Sequence, residues 1–236
     1  MSNGRPRWLL LHGTPLDGAI WNEVVGELGA ADEARAPNLV LPDDPLSLQA
    51  GAARHLLDTL GDEAQALDVV GHSFGGQIAL EMAIAAPERI RSLVIVCSRD
   101  TPFSPFGSIA AGLRAGAPID IEAALKRWFR PSELSEDAAA VRHARDCLSR
   151  ADSAEYVRSL DAIACFDRSR HRSGIDLPVT LIAADSDAVS TPSVMAQWAD
   201  ALPRARYRLF PDAAHMSPFA RPREFAQLLD EHARWR

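Results

Sequence analysis

A serine flanked by glycines is the residue of this chain best placed for nucleophilic chemistry. Ser73 is the centre of Gly71-His-Ser-Phe-Gly75, which directly follows the apolar run Leu67–Val70 and precedes a helical pattern. A strand that turns into a helix at such a G-x-S-x-G sequence holds the serine in a strained, positive-φ conformation that exposes its hydroxyl. Side chains at Gly71 and Gly75 would collide across so tight a turn. The pattern predicts Ser73 as a nucleophile, and a purely structural serine is the competing interpretation.

A serine nucleophile needs a base to take its proton and an acid to orient that base. His215 follows the last predicted strand in a loop of small residues and is predicted as the base, with a surface histidine as the alternative. Two aspartates, Asp185 and Asp187, follow the preceding predicted strand. Asp187, at the far end of that loop, is favoured as the acid; Asp185 is the second choice and Asp100 the third.

The first predicted strand ends in His12-Gly13, where backbone amides could bind a developing negative charge. Gly13 allows the backbone to approach the serine turn, so the N–H groups of Thr14 and Phe74 are predicted to form an oxyanion hole. The helix that follows Ser73 adds a positive dipole at the same place. A plain tight turn is the alternative for the His-Gly pair. His12 is predicted to brace the loop after it, and His72 to pack.

Strands and helices alternate along most of the chain, which predicts an α/β fold with a mainly parallel central sheet flanked by helices. The candidate strands are Trp8–His12, Leu67–Gly71, Leu93–Cys97, Val179–Ala184 and Arg206–Phe210, with Asn38–Leu41 as a weaker one. The helical patterns between them are Leu48–Leu60, Gly75–Ala86, Pro192–Leu202 and Pro222–Trp235.

A helical stretch interrupts this alternation. It contains the patterns Asp120–Phe129, Glu136–Arg150 and Asp152–Phe166, the last with an Asp152–Glu155 capping box. We expect residues 1–98 and 176–236 to form the core and residues 99–175 to form an inserted helical lid; a second independent domain is the alternative. Trp128, Phe129 and Phe166 are candidate liners of the substrate pocket, although packing between lid and core would explain each of them too.

Composition excludes some partners and cofactors. The 236 residues include 25 basic and 32 acidic side chains and have a net charge of -7, which disfavours nucleic acid and anionic membranes as partners. The apolar run before His12 is too short for a signal peptide or a membrane span. The three cysteines lack C-x-x-C spacing, which predicts no disulfide framework, no zinc or other metal site and a reducing cytoplasm as the setting.

Four segments, taken in order, resemble the α/β-hydrolase fold superfamily: HGTPLDGAIW, GHSFGGQIALEMAIAAPERIRSLVIVCS, PVTLIAADSD and FPDAAHMSPFARPREF. The resemblance covers nearly the whole chain outside the lid. It implies Ser73 as nucleophile, Asp187 as acid, His215 as base, and Thr14 and Phe74 as oxyanion donors. The nine-residue distance from Pro178 to Asp187 is also the spacing of this family.

Within the superfamily, Lys126–Pro131 and Tyr156 are similar to the cap of 3-oxoadipate enol-lactonases and related esterases. The chain departs from the family pattern at Ala184, Ala188 and Ala214, none of which supplies a catalytic atom. A loop that is long in the family is shortened here to Pro37–Pro45, where the family forms one wall of its pocket.

These observations predict a serine hydrolase that cleaves a small carboxylic ester or lactone through an acyl-enzyme, without a metal or an organic cofactor. Hydrolysis of a C–C bond in a β-diketone or dienoate would use the same triad. A hydrolase-like ligand-binding or receptor module with vestigial turnover is the alternative of another class, because a fold does not determine a chemistry. The oligomeric state stays open.

Overall fold

The computed structural model describes residues 8–29, 33–43, 48–61 and 66–236. Within that part of the chain, six parallel strands form one sheet in the order β2-β1-β3-β4-β5-β6. The strands are β1 (Trp8–Leu11), β2 (Ala34–Arg35), β3 (Leu67–His72), β4 (Ile90–Val96), β5 (Val179–Ala184) and β6 (Ala205–Phe210). This sheet confirms the predicted α/β class.

Helices connect the strands and cover the sheet. In chain order they are α1 (Asn22–Leu28), α2 (Leu48–Leu60), α3 (Phe74–Ala85), α4 (Pro105–Arg114), α5 (Ile121–Trp128), α6 (Pro131–Ser135), α7 (Ala139–Arg150), α8 (Ser153–Cys165), α9 (Pro192–Asp200), α10 (Ser217–Ala220) and α11 (Pro222–Trp235). Short 3-10 turns lie at Gly18–Trp21, Pro87–Arg89 and Ser169–Gly174. None of the helices in the described ranges combines the length and the apolar character that crossing a bilayer requires.

Burial of the strands explains their apolar sequences. Every residue of β1, β3 and β5 is buried, because helices cover both faces of a parallel sheet. The edge strand β6 is mostly half-buried and contains arginine and tyrosine side chains. The carboxyl ends of β3, β5 and β6 therefore lie at one edge of the sheet, and their loops meet there.

The weak strand prediction at Asn38–Leu41 is wrong. The strand lies earlier, at β2, and pairs with β1. Pro37 has no N–H for a ladder, and side chains hold the segment that follows. Asn38 Oδ1 accepts a hydrogen bond from Gly18 N at 2.9 Å, and Leu39 N donates to His12 Nε2 at 3.2 Å. Residues 44–47, at the end of the shortened Pro37–Pro45 loop, lie outside the described residues.

Five helices, α4 to α8, lie between β4 and β5, and none of residues 99–175, all of which are described, is in a strand. We call these five helices the helical insertion. Sequence patterns did not predict α4 and α6, and the helix predicted from residue 136 begins only at residue 139. Asp137 explains that late start, because its φ of 47° interrupts a helix there.

Ion pairs attach the segment that follows the helical insertion to the loop after β4 and to α3. After the end of α8, Arg172 binds both oxygens of the fully buried Asp100, with N–O distances of 2.6 and 2.8 Å. Arg168 contacts Glu81 of α3 at 2.7 Å. A bidentate arginine–carboxylate pair is among the stronger charged interactions in proteins. This segment is therefore fixed to the loop after β4 and to the helix after β3.

Candidate active site

The turn between β3 and α3 has the strained geometry that the glycine pattern predicts. Ser73 has φ 53° and ψ −118°. A Cβ on Gly71 would lie 2.4 Å from the carbonyl oxygen of Gly75, and a Cβ on Gly75 would lie 2.3 Å from the carbonyl oxygen of Leu11 in β1. No side chain fits at either position. The first glycine lets the turn close, and the second lets α3 begin directly beside β1.

Backbone contacts hold the turn in place. Ser73 N donates to Val96 O at 2.9 Å, and the hydroxyl of Ser98 donates to Ser73 O at 2.6 Å. Both partners come from β4 or the residues after it. The end of β4 therefore fixes the backbone of Ser73 from one side, while its side chain faces a cavity.

His215 and Asp187, predicted from separate loops, are hydrogen-bonded in the structure. The distance from His215 Nδ1 to Asp187 Oδ2 is 2.8 Å, and both side chains are buried. A carboxylate can only accept, so Nδ1–H donates, and in the neutral tautomer with this bond the lone pair lies on Nε2. His215 and Ser73 line the same cavity. The unprotonated nitrogen is thus available to a nucleophile on that cavity.

The second oxygen of Asp187 is held by backbone amides. Asp187 Oδ1 accepts from Val189 N at 2.8 Å and from Ser190 N at 3.1 Å. Burial raises the pKa of this carboxyl, but the charge and hydrogen bond of His215 and the two amide donors outweigh it and hold the pKa below its ordinary value. Asp187 is therefore an anion locked in one orientation.

The two alternative acids have other partners. Asp185 accepts from Asp212 N at 2.8 Å and from Ala213 N at 2.9 Å, so its carboxylate shapes the loop that precedes the histidine. Asp100 is occupied by Arg172. The structure thus brings Asp187, and neither alternative, to His215.

His72 has a contact that sequence reasoning did not find. Its Nε2–H donates to the backbone carbonyl of His215 at 2.9 Å, and the two rings lie 4.8 Å apart between centroids. Burial lowers the pKa of His72 to about 3, so the ring is neutral. No local signal predicts a bond between residues 143 positions apart. The residue before the nucleophile therefore supports the backbone of the residue predicted as the base.

The two predicted oxyanion donors belong to different elements, α3 and the loop after β1. Phe74 is the first residue of α3, and a first-turn N–H has no partner within its helix. Thr14 lies in the loop after β1 and lines the cavity that contains Ser73. His12 braces this loop as predicted: Nδ1–H donates to Gly13 O at 2.9 Å, while Nε2 accepts from the segment after β2.

The cavity beside Ser73 is small, with a free volume of ≈ 20 Å³, which is room for about one water. Trp128 lines it, as expected. Phe129 and Phe166 are buried but are not among its described lining residues, which corrects that part of the prediction. Phe129 ends α5 with a hydrogen bond to Leu125 O, and the ring of Phe166 contacts the guanidinium of Arg168. The insertion residues found there in their place are Phe106, Tyr156, Leu160 and Ile163.

A larger cavity of ≈ 220 Å³ adjoins the loop after β1 that contains Thr14. It shares Thr14, Leu16 and Tyr156 with the cavity at the serine, and Leu39 from the shortened loop forms part of its wall. Burial raises the pKa of Tyr156 to about 12, so its phenol stays protonated between the two spaces. The arrangement places Ser73, the His215–Asp187 pair and the loop of Thr14 next to a space large enough for a small organic group.

Comparison with known proteins agrees with this geometry. The family model described as "Alpha/beta hydrolase family" matches residues 8–228. The chain is similar to a pimeloyl-[acyl-carrier protein] methyl ester esterase of Nitrosomonas europaea, with 27% identity over 95% of the chain and 94% of the relative. It is also similar to the putative non-heme bromoperoxidase BpoC of Mycobacterium tuberculosis, with 33% identity over 65% of the chain and 63% of the relative.

Solved structures show the same fold. An enol-lactonase from Burkholderia xenovorans superposes with a TM-score of 0.85 at 22% identity, covering 99% of this chain and 93% of that one. A thermophilic esterase from Thermogutta terrifontis superposes with a TM-score of 0.84 at 22% identity, covering 98% and 90% of the two chains.

Proposed function

The chain belongs to the alpha/beta hydrolase family, and from that premise we propose that it is a serine hydrolase acting on a small carboxylic ester or lactone. One observation supports this most strongly. The buried pair of His215 Nδ1 and Asp187 Oδ2 lies beside the cavity that the strained Ser73 faces. The relatives named as methyl ester esterases support the same reaction class.

In the proposed mechanism, Ser73 Oγ attacks the acyl carbon while His215 Nε2 takes its proton. Asp187 stays ionised and stabilises the imidazolium. The proton passes to the leaving alkoxide, which departs and leaves an acyl-enzyme. Water, activated by the neutral imidazole, then attacks the acyl group and releases the acid. A lactone follows the same steps, with its alkoxide still attached to the acyl chain.

The amides of Thr14 and Phe74 are proposed to bind the oxyanion of both tetrahedral intermediates. Such donors act on charge that exists only near the transition state, and each of them lowers the barrier by on the order of 3 kcal/mol. Both are backbone groups on elements fixed by packing, since Phe74 begins α3 and His12 braces the loop of Thr14. The site is therefore preorganised.

We also propose that residues 99–175 act as a lid over residues 1–98 and 176–236. Side chains of α5 and α8, such as Trp128 and Tyr156, line the cavity beside Ser73, which holds about one water. A substrate must therefore displace these side chains, or the helices that carry them, to reach Ser73. The larger cavity beyond the oxyanion loop is the proposed place for its acyl or alcohol group.

The test is hydrolysis of short-chain p-nitrophenyl esters and small lactones by wild type and Ser73→Ala. Loss of the nucleophile is expected to lower kcat by about 10⁴- to 10⁶-fold. Ser193→Ala, at an exposed position of α9, is the matched control and should retain wild-type rates. Equal turnover by wild type and Ser73→Ala would exclude the mechanism. A β-diketone in the same panel tests for C–C bond hydrolysis. Turnover of that substrate alone would contradict the ester assignment.

A further inference from the structure

A second group of reactive side chains lies away from Ser73, where the helical insertion meets the loop after β1. His143 and Cys147 are four residues apart on one face of α7. Both face Asp17, which caps the 3-10 turn Gly18–Trp21. His143 Nε2 lies 2.9 Å from Asp17 Oδ1, the thiol of Cys147 donates to Asp17 Oδ2 at 3.6 Å, and the Cys147 Sγ to His143 Nε2 distance is 3.5 Å.

Two of these three separations match the edges of a tetrahedral zinc site, and the third, 2.9 Å from His143 Nε2 to Asp17 Oδ1, is a few tenths of an ångström shorter than the roughly 3.3 Å edge between two such ligands. Zinc bonds of about 2.3 Å to sulfur and about 2.0 Å to nitrogen or oxygen place sulfur about 3.5 Å from either partner. The observed distances from Cys147 Sγ are 3.5 Å to His143 and 3.6 Å to Asp17. The three donor atoms lie within 4.8 Å of one another. Little movement is needed to place an ion among them.

We propose that Asp17, His143 and Cys147 form a binding site for a divalent transition metal, with Zn²⁺ as the best fit, and that solvent fills the fourth position. One thiolate, one imidazole and one carboxylate are the ligand types that zinc accepts. Hard cations such as Mg²⁺ and Ca²⁺ prefer sets made of oxygen alone. The ligand set therefore selects the class of metal.

An ion can reach the cluster. The side chains of His143 and Asp17 are 24% and 32% exposed, and each lines a surface cavity. Asp152 and Glu155 line the same cavity as Asp17, so three acidic side chains face it. A negative cleft raises the local concentration of cations. The same cavity gives the fourth ligand, a water, room to bind.

Metal binding has a defined proton balance. Without metal, burial and the negative charge of Asp17 raise the pKa of Cys147 to about 11, so the thiol is protonated. When the metal–sulfur bond forms, this proton is released to solvent.

The proposed ion would join two parts of the fold. Asp17 lies three residues after Thr14, and the other two ligands lie on α7 of the helical insertion. A bound metal would attach that helix to the loop of the predicted oxyanion donor. The sequence did not indicate this site. Asp17 and Cys147 are 130 residues apart, and the spacing of the cysteines predicts no metal site.

Cobalt(II) titration tests the proposal, because a thiolate ligand produces an intense near-ultraviolet charge-transfer band. We expect one equivalent of Co²⁺ to produce this band in wild type and Zn²⁺ to displace it. Cys147→Ser should abolish the band and weaken Zn²⁺ binding at least about 100-fold, beyond what loss of an outer-shell contact costs. Cys165→Ser, which removes an exposed free thiol, is the matched control and should bind like wild type.

Three results would overturn the site: no band in wild type, a band retained in Cys147→Ser, or a band lost in Cys165→Ser. Asp17→Asn provides a second variant in case the first does not fold, because its amide oxygen can still cap the 3-10 turn. It should weaken Zn²⁺ binding at least tenfold, and unchanged affinity would also refute the proposal. Metal binding is measured in the absence of substrate, so a failure here is distinguishable from a failure of the hydrolase assignment.

Discussion

Asp187 and Asp185 lie two residues apart in one loop, yet their carboxylates face different partners. Asp187 binds the imidazole of His215 and two amides of its own loop. Asp185 binds the amides of the loop that precedes His215. The first contact acts on the reacting group itself, and the second acts only on the backbone that presents it. The proposed triad therefore predicts very different effects for the same substitution at the two positions.

We expect Asp187→Asn to lower kcat by about 10⁴-fold, because an amide stabilises the wrong imidazole tautomer and cannot stabilise the imidazolium. Asp185→Asn keeps an oxygen that can accept from the loop, so its kcat should stay within about tenfold of wild type. The measurement is ester hydrolysis by both variants beside wild type. Equal losses, or a larger loss in Asp185→Asn, would show that the acid has been assigned to the wrong aspartate.

Sequence alone was sufficient to predict which loops meet, while the roles of their residues stay predictions. Ser73, Asp187 and His215 lie in the loops after β3, β5 and β6, and parallel strands place those loops at one edge of the sheet. The bond of His72 to the His215 carbonyl could not be predicted in this way, because it depends on how two distant loops approach each other. Phe129 and Phe166 show the converse limit: apolar character predicts burial, but not the cavity that a ring faces.

The strand–turn–helix of residues 67–85 depends on glycine for two separate reasons. At Gly71 the obstacle is the turn itself, whereas at Gly75 it is the neighbouring strand β1. The sequence pattern predicted that side chains at Gly71 and Gly75 would collide within the turn. In the structure, a side chain at Gly75 would instead collide with β1. This contact sets the distance between the serine turn and the predicted oxyanion loop, which begins where β1 ends.

We expect Gly75→Ala to destabilise the protein by at least about 3 kcal/mol, because the new methyl group would meet the backbone oxygens of Leu11 and His12 at 2.3 and 2.6 Å. Gly26→Ala is the matched control. It lies in α1, where no atom of the described residues outside its own stretch of helix comes within 4 Å of the added Cβ, and alanine should stabilise the protein by about 0.5–1 kcal/mol. Urea unfolding of both variants measures the difference, and a change of the same sign in both would contradict the close approach.

Elements were predicted well where burial on both faces leaves a continuous apolar strand, as in Val179–Ala184. The strand prediction failed at Asn38–Leu41, where apolar residues continue past a proline and side-chain hydrogen bonds replace the ladder. In the helical insertion, three helices were predicted and five are present: α4 and α6 had no sequence signal, and the helix expected over residues 136–150 begins at residue 139, after the positive φ of Asp137.

In the whole molecule, one buried histidine links the last helix to the sheet far from Ser73. His232 of α11 is fully buried, with its ring nitrogens 2.7 Å from the hydroxyl of Thr180 and 2.8 Å from that of Ser92. Burial lowers its pKa to about 4. In the unfolded chain the pKa is about 6.5. Between these two pH values the unfolded state binds more protons than the native state.

Stability should therefore fall as the pH is lowered from about 6.5 towards 4, with His232 contributing up to about 1.4 kcal/mol per pH unit. Above pH 6.5 the histidine is neutral in both states and contributes no slope. Urea unfolding at several pH values, with wild type and His232→Gln compared, measures this share. We expect a shallower slope in the variant regardless of its absolute stability, and parallel slopes would contradict the assignment.

The hydrogen bond from His72 to the His215 carbonyl has a consequence for how the site tolerates motion. The nucleophile and the residue that supports the proposed base are neighbours in the chain, so a displacement of the serine turn moves both sides of the reacting pair together. We therefore expect small displacements of the sheet edge, or of the helical insertion, to change access to Ser73 more than they change the distance between Ser73 Oγ and the His215 imidazole. If the proposed roles hold, we expect changes in the helical insertion to alter the proposed substrate pocket while Ser73 and His215 keep their relative position.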